Sequence, residues 1–419
     1  MFSDIFNNKS ILVTGHTGFK GSWLCAWLAQ LGGKVIGISD RVPTKPSHYE
    51  LIKKNIDNEY RIDIRDSDSM FDIINTIKPH FIFHLAAQPI VLESYNDPLK
   101  TFMTNTIGTA NVLEAIRKTN HECTVIMITS DKCYDNEERT YGYSENDRLG
   151  GKDPYSGSKG AAELVIKSYF QSFFMLKDSN VRIGIGRAGN VVGGGDWAPN
   201  RIVPDCIQSW IEGKKPIIRN PLATRPWQHV LEPLSGYLTL ASQLVLNHNL
   251  NGEPFNFGPA KNQNHTVKEL IDEIIFYWPN SDWLDKSSEK SSHHEAGLLE
   301  LDCNKSLNIL GWQATLDFKE MAEWTSEWYR HFYNDDTNST YPKIQKEACA
   351  SFDEKLLEME PGPVVMFDPM LVHESVKNVS DKIKFVASID IQDIGALPDF
   401  DDPEDDIIKM QKVTKRHAF

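Results

Sequence analysis

The sequence predicts an α/β protein built on a doubly wound parallel sheet, with a smaller second lobe and a short β-rich C-terminal extension. Three observations carry this reading. Short apolar runs alternate with helix-period segments through the first half of the chain, the pattern of strands joined by crossover helices. From about residue 195 that alternation loosens into interleaved loops and helices. Beyond the polar, turn-rich stretch NDDTNSTYPK at 334–343, two further strand-like runs appear, PVVMFD and KFVASIDI.

Taken in order, SILVTG reads as a buried strand, because a short apolar run closed by a turn residue suits a strand covered on both faces. GSWLCAWLAQLG is the helix that follows it. KVIGISD is the second strand, FIFHLAA a later one, TVIMITS another, and RIGIGRAGNVVG closes the series. The helices IVPDCIQSWIEG, LSGYLTLASQLV and VKELIDEIIFYW belong to the smaller lobe, which in open α/β sheets covers the C-terminal strand ends where ligands bind. The expected divisions are a dinucleotide-binding domain over 1–195, a mainly substrate-binding lobe with some returning segments over 196–333, a linker at 334–345, and the β-rich extension at 346–419. The acidic run from Asp399 to Asp406 reads as a solvated loop or tail. No repeat of solenoid period is present.

A chain of 419 residues buries a large core and suits two or three domains. Its formal net charge of −14 leaves no basic surplus for nucleic-acid phosphates, so anionic ligands must meet local cations or backbone N–H groups. The stretch MFSDIFNNKS has neither a basic n-region nor an apolar core, so no secretory leader is expected. No apolar run approaches the roughly 18 residues of a membrane span. Cysteines 25, 123, 133, 206, 303 and 349 are scattered without a CxxC pair, which implies reduced thiols, no metal site and a cytoplasmic setting.

The first strand runs into Gly15-x-x-Gly18-x-x-Gly21, and a helix begins there. Glycines at this spacing allow a sharp turn, a close approach of backbone to a pyrophosphate, and tight packing of the helix on the sheet. Strand before and helix after is the context the pattern needs, so a Rossmann-type dinucleotide site is predicted. Asp40 ends the second strand about 20 residues on, where a carboxylate bonds the adenosine ribose and repels a 2′-phosphate. That favours NAD over NADP, with the adjacent Arg41 acting in the opposite sense.

DPYSGSKGAAELV puts Tyr155 and Lys159 at i and i+4 on one helix face. A nearby ammonium and the positive ring of an oxidised nicotinamide favour the phenolate, so the tyrosine is expected to have a lowered pKa and to serve as a base. TVIMITSDKCYDN sets Ser130, Asp131 and Lys132 at the C-terminal end of an apolar strand. They form either a capped turn with a solvated charge pair or an active-site edge with a hydroxyl, a carboxylate and an amine; the fold context favours the second. Asn190, Arg219, Arg225 and His229 lie in loop contexts further on. The arginines suit either a diphosphate or a surface ion pair.

The stretches GHTGFKGSWL, HLAAQPIV, TSDKCYDN, GYSENDRLGGKDPYSGSKGAAELV, RAGNVVGGGDWAPNRIVPD and IRNPLATRPWQHVLEPLSGYL resemble the nucleotide-sugar 4,6-dehydratases of the extended short-chain dehydrogenase/reductase family, in their CDP-glucose branch. The likeness runs over about residues 8–332 and includes HEAGLLELDCNK and LGWQATLDF. It implies a tightly bound, recycled NAD contacted by Gly15, Thr17, Gly18, Phe19, Gly21, Asp40, Asp63, Ile64, Ala86, Asn105, Tyr155 and Lys159. It implies a nucleotide-sugar substrate contacted by Gln88, Asn190, Arg219, Arg225 and His229. The implied reaction is oxidation at C4 with Tyr155 as base, elimination across C5–C6 by Lys132 and Asp131, and hydride return to C6. A dehydratase or 4-epimerase for another nucleotide sugar is the alternative. Leu92-Glu93 stand where members often carry arginine, which bears on the choice of nucleotide. The resemblance further implies a cytoplasmic homo-oligomer, dimer or tetramer, serving deoxysugar and lipopolysaccharide O-antigen synthesis, with no nucleic-acid or membrane partner.

The extension PGPVVMFDPMLVHESVKNVSDKIKFVASIDIQD is similar to the closing strands of phytanoyl-CoA-dioxygenase-like jelly rolls. In that resemblance His373 and Lys384 occupy the places of an iron ligand and a 2-oxoglutarate contact. An iron site takes two histidines and a carboxylate, and the extension has no His-x-Asp, so a packing segment without metal is expected.

Overall fold

A computed structural model of the chain describes residues 2–260, 263–279, 281–287, 298–334, 348–352 and 355. Seven strands form one parallel sheet: β1 Ser10–Thr14, β2 Lys34–Ile38, β3 Asn58–Tyr60, β4 Phe81–His84, β5 Cys123–Ile128, β6 Val181–Ala188 and β7 Pro254–Phe257. Their order is β7-β6-β5-β4-β1-β2-β3. The chain reverses direction across the sheet between β1 and β4, which pair in parallel from Ile11↔Phe81 to Thr14↔His84. This is the switch point at which open α/β sheets bind ligands, beyond the carboxyl ends of the strands.

The strands are apolar on both faces because helices cover both. Ile11 and Val13 of β1 join one buried cluster with Phe81, Phe83, Ile126 and the helix α1, Phe19–Gln30. Leu12, one residue out of phase, joins the opposite cluster with Ile82, Val125, Met127, Ile74 and Ile116. The alternation is the period of two expected of a strand. Helix α1 is buried continuously from Gly21 to Leu28, as its nearly all-apolar sequence requires.

Four expectations are adjusted by the structure. The second strand stops at Ile38, so Asp40 lies in the following coil. FIFHLAA is strand only through His84. RIGIGRAGNVVG breaks at Gly189-Asn190, and Val191–Val192 leaves the sheet to pair with Gln228–His229. The fourth concerns the start of the 346–419 extension, where residues 348–352 are helical rather than β. Cys349 and Phe352 there are fully buried, with Phe352 edge-on to Trp27 at 5.8 Å. Two strands were not visible in the sequence. β3 is polar and exposed at the sheet edge, and β7 returns to the sheet from within the 196–333 segment.

The chain divides into units 1–359 and 360–419. The runs PVVMFD and KFVASIDI, with His373 and Lys384, lie outside the described residues, as do 335–347. Among the described residues no helix is long and apolar enough to cross a membrane, and no group of His, Cys, Asp or Glu could hold a metal ion.

Candidate active site

The glycine turn follows β1 at the switch point. Gly15 takes φ +74°, and a Cβ there would lie 2.8 Å from the Ala86 nitrogen of the loop after β4. A Cβ on Gly21 would stand 2.1 Å from the Gly15 carbonyl oxygen, so α1 can pack this close only with glycine. Gly18 caps α1 without a side-chain acceptor, which leaves the first-turn N–H groups facing the turn, as an anion-binding helix start requires. Thr17 is fixed by its hydroxyl on Ser39 and on the Arg41 carbonyl, each at 2.6 Å, and this ties the turn to the end of β2. Asp40 is half exposed there, 4.0 Å from the Arg41 guanidinium.

Beyond β3, Asp63 is gripped by Arg65 through a 2.6 Å contact, which holds its carboxyl below the usual range. Ile64 is buried beside Gly108. Asn105 and Gln88 meet directly: Asn105 Oδ1 accepts the Gln88 backbone N–H at 2.7 Å, and Asn105 Nδ2 donates to the Gln88 backbone carbonyl at 3.1 Å. Asn105 also donates to Ser158 at 2.9 Å, linking the loop after β4 to the helix that carries Tyr155 and Lys159. One predicted cofactor residue thus shapes the loop that carries a predicted substrate residue.

That helix, α2, spans Pro154–Tyr169. Asp153 caps it by accepting the Ser156 N–H at 2.9 Å, and Pro154 occupies the first turn, where its missing N–H costs nothing. Tyr155 and Lys159 are both buried on its inner face. Across from them β5 ends and Ser130 caps a single 3₁₀ turn, Asp131–Cys133, accepting the Lys132 N–H at 3.2 Å. The Ser130 hydroxyl donates to Asp131 Oδ1 at 2.8 Å.

Burial sets the electrostatics. It pushes Tyr155 up to about 12, with Ser130 and Arg201 opposing. The sequence-based expectation of a lowered phenol is therefore reversed in the protein alone. The cation acting on Tyr155 is Arg201, and desolvation outweighs it. Burial lowers Lys159 to about 8, against Cys133 and Glu163. It raises Asp131, against Lys132, the Ser130 hydrogen bond and Lys20. Lys20, on the first turn of α1, falls to about 7 through burial and the positive charge of Arg201. Lys20 and Arg201 were not singled out in the sequence. The signal for Lys20 was a lysine at a helix N-terminus, where the dipole disfavours it.

A buried brace supports this cluster. Glu163, one turn beyond Lys159, receives Arg187 of β6 through two bonds of 2.9 and 2.8 Å, and also the Thr129 hydroxyl. Arg187 donates in turn to the Tyr134 hydroxyl at 2.9 Å, and Tyr134 donates to Asn256 of β7 at 2.7 Å. Thr129 and Tyr134 flank the Ser130–Cys133 segment, so both of its ends are fastened to the brace.

The predicted substrate residues fall in different surroundings. Asn190 is partly exposed where β6 breaks, its carbonyl accepting the Gln228 N–H at 3.1 Å. Arg225 is buried in the short strand Thr224–Arg225, its guanidinium donating to the Thr224 carbonyl at 2.7 Å. Arg219 is exposed. His229 lies in a short strand rather than a loop, packed edge-on to Trp23 and Trp324, and burial drops it to about 3, so it is neutral.

Residues 12–325 match the model of the family described as GDP-mannose 4,6 dehydratase. The chain belongs to that family. The CDP-glucose 4,6-dehydratase of Salmonella typhimurium is 43% identical over 336 residues, covering 78% of this chain and 93% of the relative. Among solved structures, a UDP-glucose 4-epimerase of Thermotoga maritima with UDP-glucose superposes with a TM-score of 0.66 at 23% identity, over 78% of this chain and all of the other. A dTDP-glucose 4,6-dehydratase of Bacillus anthracis in complex with NAD gives 0.64 at 22%, over 78% and 98%. The shared fold is thus that of the family's dehydratases and epimerases.

Proposed function

We propose that the chain is an NAD-dependent lyase converting CDP-glucose to CDP-4-dehydro-6-deoxyglucose and water. The observation that carries this reading is the Asp131-Lys132 pair, held beside Ser130 and Tyr155 at the end of β5. An oxidation alone needs the tyrosine; an elimination needs an acid and a base as well. The 43% identity to a CDP-glucose 4,6-dehydratase supports both chemistry and nucleotide.

The turn at Gly15–Gly21, Thr17, Asp40, Asp63, Ile64, Ala86 and Asn105 would hold NAD. Bound there, it supplies a hydride acceptor at C4 and a donor at C6, and a positive charge that lowers the Tyr155 phenol. Tyr155 takes the 4-hydroxyl proton, helped by Lys159. The resulting ketone acidifies C5–H, which Lys132 removes. Asp131, kept protonated more readily by its burial, gives its proton to the departing 6-hydroxyl. Arg225 and Asn190 would hold the diphosphate. By the same resemblance the enzyme is a cytoplasmic homo-oligomer supplying a deoxysugar for surface polysaccharide.

The test is incubation of purified protein with CDP-glucose and no added reductant, read as the alkali-induced 4-keto chromophore. Turnover of another sugar nucleotide, with none of CDP-glucose, would remove the substrate assignment. Lys132→Ala separates elimination from epimerisation: a dehydratase loses roughly 10²–10⁴-fold in product formation, whereas a 4-epimerase is unaffected.

A further inference from the structure

We propose that His84 is a positioning residue: as a neutral imidazole protonated at Nε2, it links Thr14 to Thr109 and so fixes the spacing between the glycine turn and Asn105. The inference rests on the reading that the turn, Ala86 and Asn105 hold NAD. Thr14 and His84 are the last partners in the β1–β4 ladder, where the two strands part at the switch point. Thr14, His84, Thr109, Asn105 and Ser158 are all buried. Buried polar side chains persist when each has a hydrogen-bond partner, and every one of these does.

Donor and acceptor chemistry fixes the direction of each bond. A backbone N–H only donates, so the 3.2 Å contact from Ala86 N uses a lone pair of the Thr14 hydroxyl. A carbonyl only accepts, so the 2.7 Å contact between Thr109 Oγ1 and the Asn105 carbonyl uses the single Thr109 hydroxyl proton. The 3.1 Å contact between Thr109 Oγ1 and His84 Nε2 therefore takes its proton from the ring. Nδ1 is then bare and accepts the Thr14 hydroxyl at 2.8 Å. The run goes from Ala86 through Thr14, His84 and Thr109 to Asn105, with one proton in each contact. An Nδ1–H ring would leave the Thr14 proton without an acceptor. Burial keeps the ring neutral, dropping His84 to about 3, and the Lys159 ammonium acts in the same direction.

Both ends of this run meet backbone that shapes the site. Ala86 N lies 2.8 Å from where a Cβ on Gly15 would stand, so it borders the glycine turn. Asn105 sits in a π turn, Met103–Ile107, closed by the Gly108 N–H on the Met103 carbonyl five residues back. From there its side chain grips the Gln88 backbone on both sides and donates to Ser158, which donates in turn to the Tyr155 carbonyl at 2.7 Å. The loop after β4 is thus held twice, at Ala86 by Thr14 and at Gln88 by Asn105. His84 is the link between the two holds. An apolar side chain at 84 would leave two buried hydroxyls short of a partner and free the holds from each other.

Two measurements test His84. Imidazole ¹⁵N NMR of the full chain, with the His84 signals identified by their loss in His84→Gln, should show Nε2 protonated and Nδ1 bare. That signature should hold from about pH 5 to 8, where an ordinary histidine titrates. An Nδ1–H ring, or titration within that window, overturns the proposal. Isothermal titration then reads NAD affinity. His84→Leu should bind NAD ~10-fold more weakly, through the misplaced loop. His84→Gln offers one acceptor and one donor and should stay within ~3-fold of wild type. If the leucine protein does not fold, Thr109→Val removes the Nε2–H acceptor at nearly constant shape and should weaken NAD ~10-fold. Unchanged NAD affinity in His84→Leu or Thr109→Val, whatever the loss of stability, means that His84 only fills the core, and the proposal is wrong. Wild-type protein that binds no NAD while keeping the Nε2–H signature removes the cofactor reading instead, a result distinct from either.

Discussion

Glu163 and Arg187 form a doubly bonded ion pair, 2.8 Å at its closest, with both side chains nearly inaccessible to water. It lies one turn from Lys159 and joins α2 to β6. Burying two charges is costly, and the pair is tolerated because Thr129 and Tyr134 satisfy its remaining sites. Removing one partner strands the other, so Arg187→Met should destabilise the fold by about 3–5 kcal/mol. Chemical denaturation monitored by tryptophan fluorescence reads this directly. A change below about 1 kcal/mol would mean that the brace is not a stabilising element.

Gly21→Ala should abolish NAD binding or folding, because its Cβ would overlap the Gly15 carbonyl oxygen at 2.1 Å with only backbone to give way. Gly18→Ala meets the same oxygen at 3.3 Å and should be milder. Isothermal titration with NAD ranks the two. Equal affinities would contradict the close approach of α1 to the turn.

Glu232 is fully buried and accepts the Thr315 and Leu316 N–H groups, at 3.0 and 2.7 Å. Burial raises its carboxyl from 4.5 to about 8, despite those bonds. A folded pKa above the unfolded one means stability is fully present below about pH 4.5 and is lost as pH rises toward 8. Melting temperature should fall across that window in the wild type, and less steeply in Glu232→Gln. Parallel curves for the two proteins would dismiss Glu232 as the source.

Phe352 is fully buried, edge-on to Trp27 at 5.8 Å and to Trp324 at 6.4 Å. Phe352→Ala should cost about 3–5 kcal/mol through lost burial and the cavity left behind. Truncation after residue 340 should cost at least as much, since it removes Cys349 as well. Denaturation midpoints of the two proteins, measured side by side, decide this.

Much of the site was legible because its signals are local. The glycine turn needs only a strand before it and a helix after it, and Tyr155/Lys159 share a face by helical spacing alone. Ser130-Asp131-Lys132 stood out as polar residues ending an apolar strand. The strand cores were equally plain, since β1, β4 and β5 are unbroken apolar runs. β3 was not, being polar at an exposed edge, nor was β7, four residues long.

By itself, then, the sequence determined the strand-and-helix alternation, the glycine turn and the candidate reacting groups, because each is written within a span of a few residues. The tertiary structure decided which distant residues meet, Glu163 with Arg187 and Gln88 with Asn105, and it put Lys20 within electrostatic reach of Asp131 and Arg201. It also decided the sign of the Tyr155 shift. Spacing shows a lysine one turn away, but desolvation depends on everything packed around the phenol, and here burial outweighs the cations. The same packing buried Tyr155, Ser130 and Asp131, which no pattern along the chain could reveal.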